Sequence, residues 1–263
     1  MLTNNVTFVT CYFKIYDEDI SLSRSFEKRL ELFLKIADTG INICIFISPD
    51  YREIFLEIAE KYKNIQIVNI YDKNNLKFSK KYFPEIESCL LPENRSHIKD
   101  TKDYITLMNS KIDFVNEAIH LNPFNNEYFC WFDFALPYIF KDFDKTIILF
   151  KKIAQQSYSG SFLIIPGCWN FKMNDINYIK NKVCWRFCGG FFIGDKNSLS
   201  DFYKLSINNF GEFLNQTKTL VWEVNFWTWL ESYKSFNPIW YPAEHNDSII
   251  NIPEDLYNKI TLT

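Results

Sequence analysis

Residues 127–137 read Glu-Tyr-Phe-Cys-Trp-Phe-Asp-Phe-Ala-Leu-Pro. From Tyr128 to Phe132 every side chain is aromatic or apolar, and the run closes on one carboxylate, Asp133. A strand with one wet face alternates; a strand that does not is covered on both faces, as in the middle of a parallel sheet. That confines the chain to α/β architectures with helices packed on each side of the sheet. An acid at the C-terminal end of such a strand sits where open α/β sheets bind ligands. A carboxylate amid hydrocarbon is costly unless a cation or hydrogen-bond donors compensate it. Asp133 is therefore expected either to meet a divalent metal carrying a diphosphate or to cap a nearby backbone turn.

The chain around this strand alternates strands and helices. Val6 to Phe13 is β-branched and aromatic, a first strand, with Thr10, Cys11 and Tyr12 near the end where a nucleotide base or ribose would rest. Phe26, Leu30, Phe33, Leu34 and Ala37 fall at helical spacing, closed by Gly40. Ile41 to Ile47 is a second strand, Ser48-Pro49-Asp50 starts a helix, and Ile65 to Ile70 is a third strand. This βαβαβ order calls for parallel strands with right-handed crossovers. Tyr71 to Asp100 breaks the rhythm and is expected as short helices or irregular chain over the site, as a lid, with His97 at the surface. Thr101 opens a helix whose apolar face runs from Tyr104 to Ile119. Lys111 lies at the edge of that face, where a lysine either snorkels or reaches a phosphate. After the central strand come a helix over 143–153, a strand over 162–165, and adjacent Gly189 and Gly190 before another apolar strand. Such glycines permit close approach of a second backbone or a ligand. Helices over 199–213 and 217–233 follow, then a polar loop from Trp240 to Asp247.

Composition narrows the function classes. With 263 residues, 47% of them hydrophobic and 18% aromatic, there is ample material for a large core. The net charge of −3 gives no electrostatic pointer to nucleic acid. No apolar run is long enough to span a bilayer, and the first residues lack a signal-peptide pattern. Seven cysteines without zinc-finger spacing read as reduced thiols in a cytoplasmic protein.

Phe8-Val9-Thr10, Tyr104 with Lys111, Trp131-Phe132-Asp133-Phe134-Ala135, Phe187-Cys188-Gly189-Gly190-Phe191 and Glu223 together resemble the HtrL/YibB family of predicted glycosyltransferases, which is placed with the GT-A folds. The resemblance spans most of the chain. It implies a GT-A-like, Rossmann-type, mostly parallel mixed sheet with helices on both faces. It implies one domain, with a nucleotide-sugar half over about 1–135 and an acceptor half over about 136–263. It implies sugar transfer from a nucleoside-diphosphate donor, first among them a UDP-sugar, to a glycan or other hydroxyl acceptor. If that acceptor is a glycolipid, the protein works at the periphery of a membrane. Mn²⁺ or Mg²⁺ usually assists such transfer. The usual GT-A metal motif is Asp-x-Asp; here Trp131 stands at the first acid and Asp133 alone matches. A late histidine completes the metal site in some relatives of the fold, which makes His245 the candidate second ligand, favouring Mn²⁺.

The remaining roles follow from the same resemblance. Lys111 or Arg186 would offset charge on the leaving diphosphate, and Gly189 and Gly190 would let the sugar lie against main chain. Glu223 stands where many inverting GT-A enzymes carry their base, with Asp247 in reserve. Trp222, with Trp185, Trp227 and Trp229, would offer a platform for sugar rings or else belong to the core. A nucleotidyltransferase or an NAD-linked enzyme would want a glycine-rich loop after the first strand, and Cys11-Tyr12-Phe13-Lys14 contains no glycine. A non-catalytic nucleotide-sugar or carbohydrate-binding protein of the same fold remains the alternative.

Overall fold

Residues 4–16, 25–70 and 72–261 are described by the computed structural model. Seven strands form one sheet: β1 (Val6–Tyr12), β2 (Asn42–Ile47), β3 (Ile65–Ile70), β4 (Tyr128–Phe132), β5 (Leu163–Gly167), β6 (Phe191–Asp195) and β7 (Ile239–Pro242). Their spatial order is β3-β2-β1-β4-β6-β5-β7. β1 runs parallel to β2 and β4, β2 to β3, and β5 to β7. Only β6 is reversed, antiparallel to both of its neighbours. The sheet is thus the expected Rossmann-type, mostly parallel mixed sheet, and it is continuous through the pairing of β4 with β6.

Successive strand residues point to opposite faces, and two separate cores follow from that alternation. Phe8, Ile45, Cys130, Phe132 and Ile193 face one core, covered by α1 (Phe26–Ala37), α2 (Arg52–Lys61), α7 (Phe143–Gln155) and α11 (Glu254–Ile260). Val9, Phe46, Phe129, Trp131 and Phe192 face the other, covered by α5 (Lys102–Asn109), α6 (Lys111–Leu121), α9 (Lys196–Thr217) and α10 (Glu223–Tyr233). Helices therefore lie on both faces. Among the described residues no helix is long and apolar enough to cross a membrane.

Four local expectations are corrected. The helix opening at Thr101 is two helices, because it breaks at Ser110. The Ser110 hydroxyl donates back to Thr106 O at 2.8 Å, and the Asn109 amide donates to Ile105 O and Val221 O at 2.9 Å each. Short polar side chains bonding the preceding turn compete with helix propagation. The segment after β3 is not a lid. Its helices α3 (Lys77–Lys81) and α4 (Phe83–Ser88) bury Phe78 and Ile86, and Tyr82 between them, in the core against α9. Only its end returns to the site, where the Tyr16 hydroxyl donates to Lys99 O at 2.5 Å. The last long helix starts at Glu223 rather than at residue 217, since Thr217 finishes α9. Trp240 and Tyr241 lie on β7 rather than in a loop; two prolines flank the stretch and hide a four-residue strand. The connection over 168–183 also holds a short helix, α8 (Ile176–Asn181).

Candidate functional site

The carboxyl ends of β1 and β4 open into a pocket of about 170 Å³. That is smaller than ligand sites of roughly 300–1,000 Å³ and has room for one moiety of a small molecule. The floor is built by Cys11, Tyr12 and Phe13 as β1 ends, and by Trp131, Asp133 and Phe134 as β4 ends. Tyr51 and Tyr104 close the sides with their rings. Tyr12 packs within a ring cluster, 4.7 Å from Tyr51 and 4.6 Å from Phe134.

Asp133 is placed by strand parity. It shares its face with Trp131, two residues back, and the indole Nε1 donates to Asp133 Oδ1 at 2.8 Å. Opposite, its backbone N–H donates to Gly190 O at 3.0 Å. The carboxylate leans on a buried cation. Lys111, 1% exposed, is the first residue of α6, so the break at Ser110 aims its side chain inward. Its ammonium contacts Asp133 Oδ1 at 2.8 Å and Oδ2 at 3.1 Å, Glu223 Oε1 at 2.7 Å and Gly189 O at 2.9 Å. An ammonium has three protons, and these partners use all of them. Burial alone would lower the Lys111 pKa; the Asp133 and Glu223 carboxylates outweigh it and raise the pKa above the ordinary lysine value. Glu223 opens α10, where the helix dipole favours an acid.

The network accounts for the glycines. A Cβ on Gly189 would stand 2.0 Å from Glu223 Oε1, so that glycine makes room for a carboxylate of the protein itself, where a sugar was expected. Gly190 lies beside Leu136, with Asp133 Oδ2 3.7 Å from where its Cβ would be. Lys111 does not snorkel: its ammonium is buried on protein oxygens.

Other sequence candidates lie elsewhere. Arg186 is buried in a bidentate pair with Glu231, at 2.8 and 2.7 Å, under the ring of Trp240. Trp222, Trp227 and Trp229 are buried in the core, as is Phe132 on the opposite face of the sheet. Thr10 is fully buried within β1. His245 is exposed and meets the ring of Trp185 at 5.4 Å. Asp247 accepts from Lys141 N at 3.2 Å. Neither lines the pocket. Conversely, two cations that sequence reasoning passed over do line it: Lys14, just beyond β1, and Arg29, on α1. Arg29 stands three residues after Phe26 on a helix that reads as ordinary and amphipathic, which is the only signal it gave.

The donor set does not fit a protein-held divalent metal. Asp133 Oδ1 already takes two donors, and Oδ2 takes Lys111. A dication on Oδ2 would stand beside an ammonium. At an effective dielectric of about 20, that repulsion is about 8 kcal/mol for charges of two and one some 4 Å apart. Among the described residues no three His, Cys, Asp or Glu side chains converge.

A profile described as "Bacterial protein of unknown function (HtrL_YibB)" matches residues 4–220, from before β1 to the approach of α10. The chain belongs to the HtrL_YibB family. The matched range contains Lys111, Asp133 and Gly189 but stops three residues short of Glu223. No curated protein sequence matches this HtrL_YibB member. Among solved structures it is similar to mouse xyloside xylosyltransferase 1 in its apo form, at 9% identity over 90% of this chain and 84% of that one, with a TM-score of 0.42. It is also similar to 4-diphosphocytidyl-2C-methyl-D-erythritol synthase from Anaerococcus prevotii DSM 20548, at 12% identity over 97% and 94%, with a TM-score of 0.44. A third is the inositol-1-phosphate CTP transferase from T. maritima, at 9% identity over 98% and 95%, with a TM-score of 0.42. Likenesses this distant say nothing of what the HtrL_YibB chain acts on.

Proposed function

We propose that this protein is a glycosyltransferase that binds a nucleoside-diphosphate sugar at the carboxyl rim of β1 and β4. The observation that carries the reading is the pocket itself: aromatic walls of the kind that hold a base, with one acid, Asp133, set at its floor. The Asp133 side chain is 33% exposed, so its carboxylate retains accepting capacity toward the pocket. There it takes a hydrogen bond from a hydroxyl of the bound sugar or of the acceptor. In the reaction the acceptor oxygen bonds to the anomeric carbon, the bond from that carbon to the diphosphate breaks, the diphosphate leaves with the electron pair, and the proton of the acceptor hydroxyl passes to the departing diphosphate. Lys111 and Glu223 act through Asp133. Their ion pairs fix its rotamer before substrate arrives, which is the preorganisation that transfer chemistry rewards.

A second reading has an observation of its own. Glu223, the base expected from the resemblance, is 8% exposed at its side chain and turned onto Lys111 behind Gly189. A binding protein of this fold needs no base. Purified protein incubated with a panel of nucleotide-sugars, with and without simple sugar acceptors, separates the two. Release of nucleoside diphosphate that falls at least about a hundredfold in Asp133→Asn supports the enzyme. A rise in melting temperature with one donor and no release supports binding alone. Neither effect with any donor sinks both.

A further inference from the structure

Every charge lining the pocket is assigned except one. Asp133 is held by Lys111 and Trp131. Lys14 is only loosely engaged, 3.7 Å from Asp50, both side chains being 45% exposed. Arg29 is different. Its side chain lines the pocket, yet among the described residues its buried Nε finds no acceptor. A buried guanidinium N–H without a partner is costly, and the partner it suits is a planar or tetrahedral oxyanion taken by the fork. The pocket lining thus sets two cations against one carboxylate, and that carboxylate is already compensated from behind.

We infer that the donor's diphosphate is bound without a metal, Arg29 and Lys14 taking its oxygens while Lys111 fills the place beside Asp133 that a divalent ion would need. This rests on the proposed function, and it names the group that Arg29 awaits. It makes the cation part of the fold. A sugar nucleotide then binds to a site whose positive charge is already in position, and chelators have nothing to remove.

Titration calorimetry with UDP, CDP, GDP and ADP, each in EDTA and again in MnCl₂, tests this on the whole protein. The expected result is binding of at least one diphosphate with a dissociation constant that agrees within about twofold between the two buffers. Arg29→Met should weaken it at least about tenfold in both, with Arg29→Lys intermediate and Lys14→Ala weaker by a few-fold. The helix dichroism and melting temperature of each variant establish that it is folded. Binding that is tenfold or more tighter in MnCl₂, or that is unchanged in a folded Arg29→Met, overturns the inference while leaving the donor pocket intact. If no diphosphate binds in either buffer, the proposed function itself fails.

Discussion

Lys111 is the residue on which the site turns. Truncating it to methionine leaves Asp133 and Glu223 facing each other with no cation between them, and breaking such a buried pair costs about 3–5 kcal/mol. Urea unfolding of Lys111→Met against wild type measures that loss. Its pH dependence has a definite sign. The folded pKa lies above the ordinary lysine value of about 10.4, so the stabilisation is complete below that value and is lost as pH rises through the folded pKa. The gap between wild type and Lys111→Met should be flat from neutral pH to about pH 9 and narrow only above about pH 10.4. A gap that closes on acidification instead, down to about pH 5, would contradict the assignment of charge. Gly189→Ala attacks the same network from the other side: a methyl 2.0 Å from Glu223 Oε1 must displace the carboxylate, at a cost of about 1–3 kcal/mol in the same assay. Asp133 was legible in the sequence because an acid ending an apolar run has few places to go. Lys111 was not, because a lysine beside an apolar stripe more often reaches out to water, and the break that turns it inward is set by Ser110 and Asn109 hydrogen bonds that leave the apolar periodicity intact.

Single elements explain what else could be read. β4 is an uninterrupted apolar run and β1, β2 and β3 are dominated by β-branched and aromatic residues, and such stretches declare themselves. β7 is four residues that follow Pro238 and end in Pro242, and it does not. The Arg186–Glu231 pair joins positions 45 residues apart, so Arg186 looked available for phosphate when it serves to bind α10 to the chain before β6. The docking of α4 on α9 was hidden because residues 71–100 have no clear period. It can be tested at Gly211, in the middle of α9. A Cβ there would lie 2.6 Å from the Tyr82 ring, which is anchored by its hydroxyl to Ile207 O. Helix propensity alone would favour alanine by about 1 kcal/mol. The clash with a pinned ring reverses that sign, and Gly211→Ala is expected to destabilise the protein by about 1–2 kcal/mol by urea unfolding. A variant more stable than wild type would mean that Tyr82 swings clear.

For the molecule as a whole, the fold class followed from alternation and run length, whereas the pocket's charges come from segments that only the sheet brings together. The thiols offer a test of that packing. Six of the seven cysteines are buried and Cys168 alone is exposed. Burial pushes the thiols of Cys44 and Cys184 up to about 12. A disulfide reagent at neutral pH should therefore label Cys168 quickly in the native protein and all seven only in denaturant; rapid labelling of more than one native thiol would show that the cores are looser than described.

The reversal of β6 has a consequence for what the cleft is made of. Parallel strands arrive at the rim by their tails and hand over to helices, whose opening amides welcome negative charge. A strand travelling the other way enters the sheet at that rim instead, and here it delivers two carbonyls beside the terminus of β4: Gly189 O, which accepts from the Lys111 ammonium, and Gly190 O, which accepts from Asp133 N. The lysine and the aspartate at the floor of the cleft are thereby moored by main chain, so their positions are indifferent to which side chains the reversed strand carries.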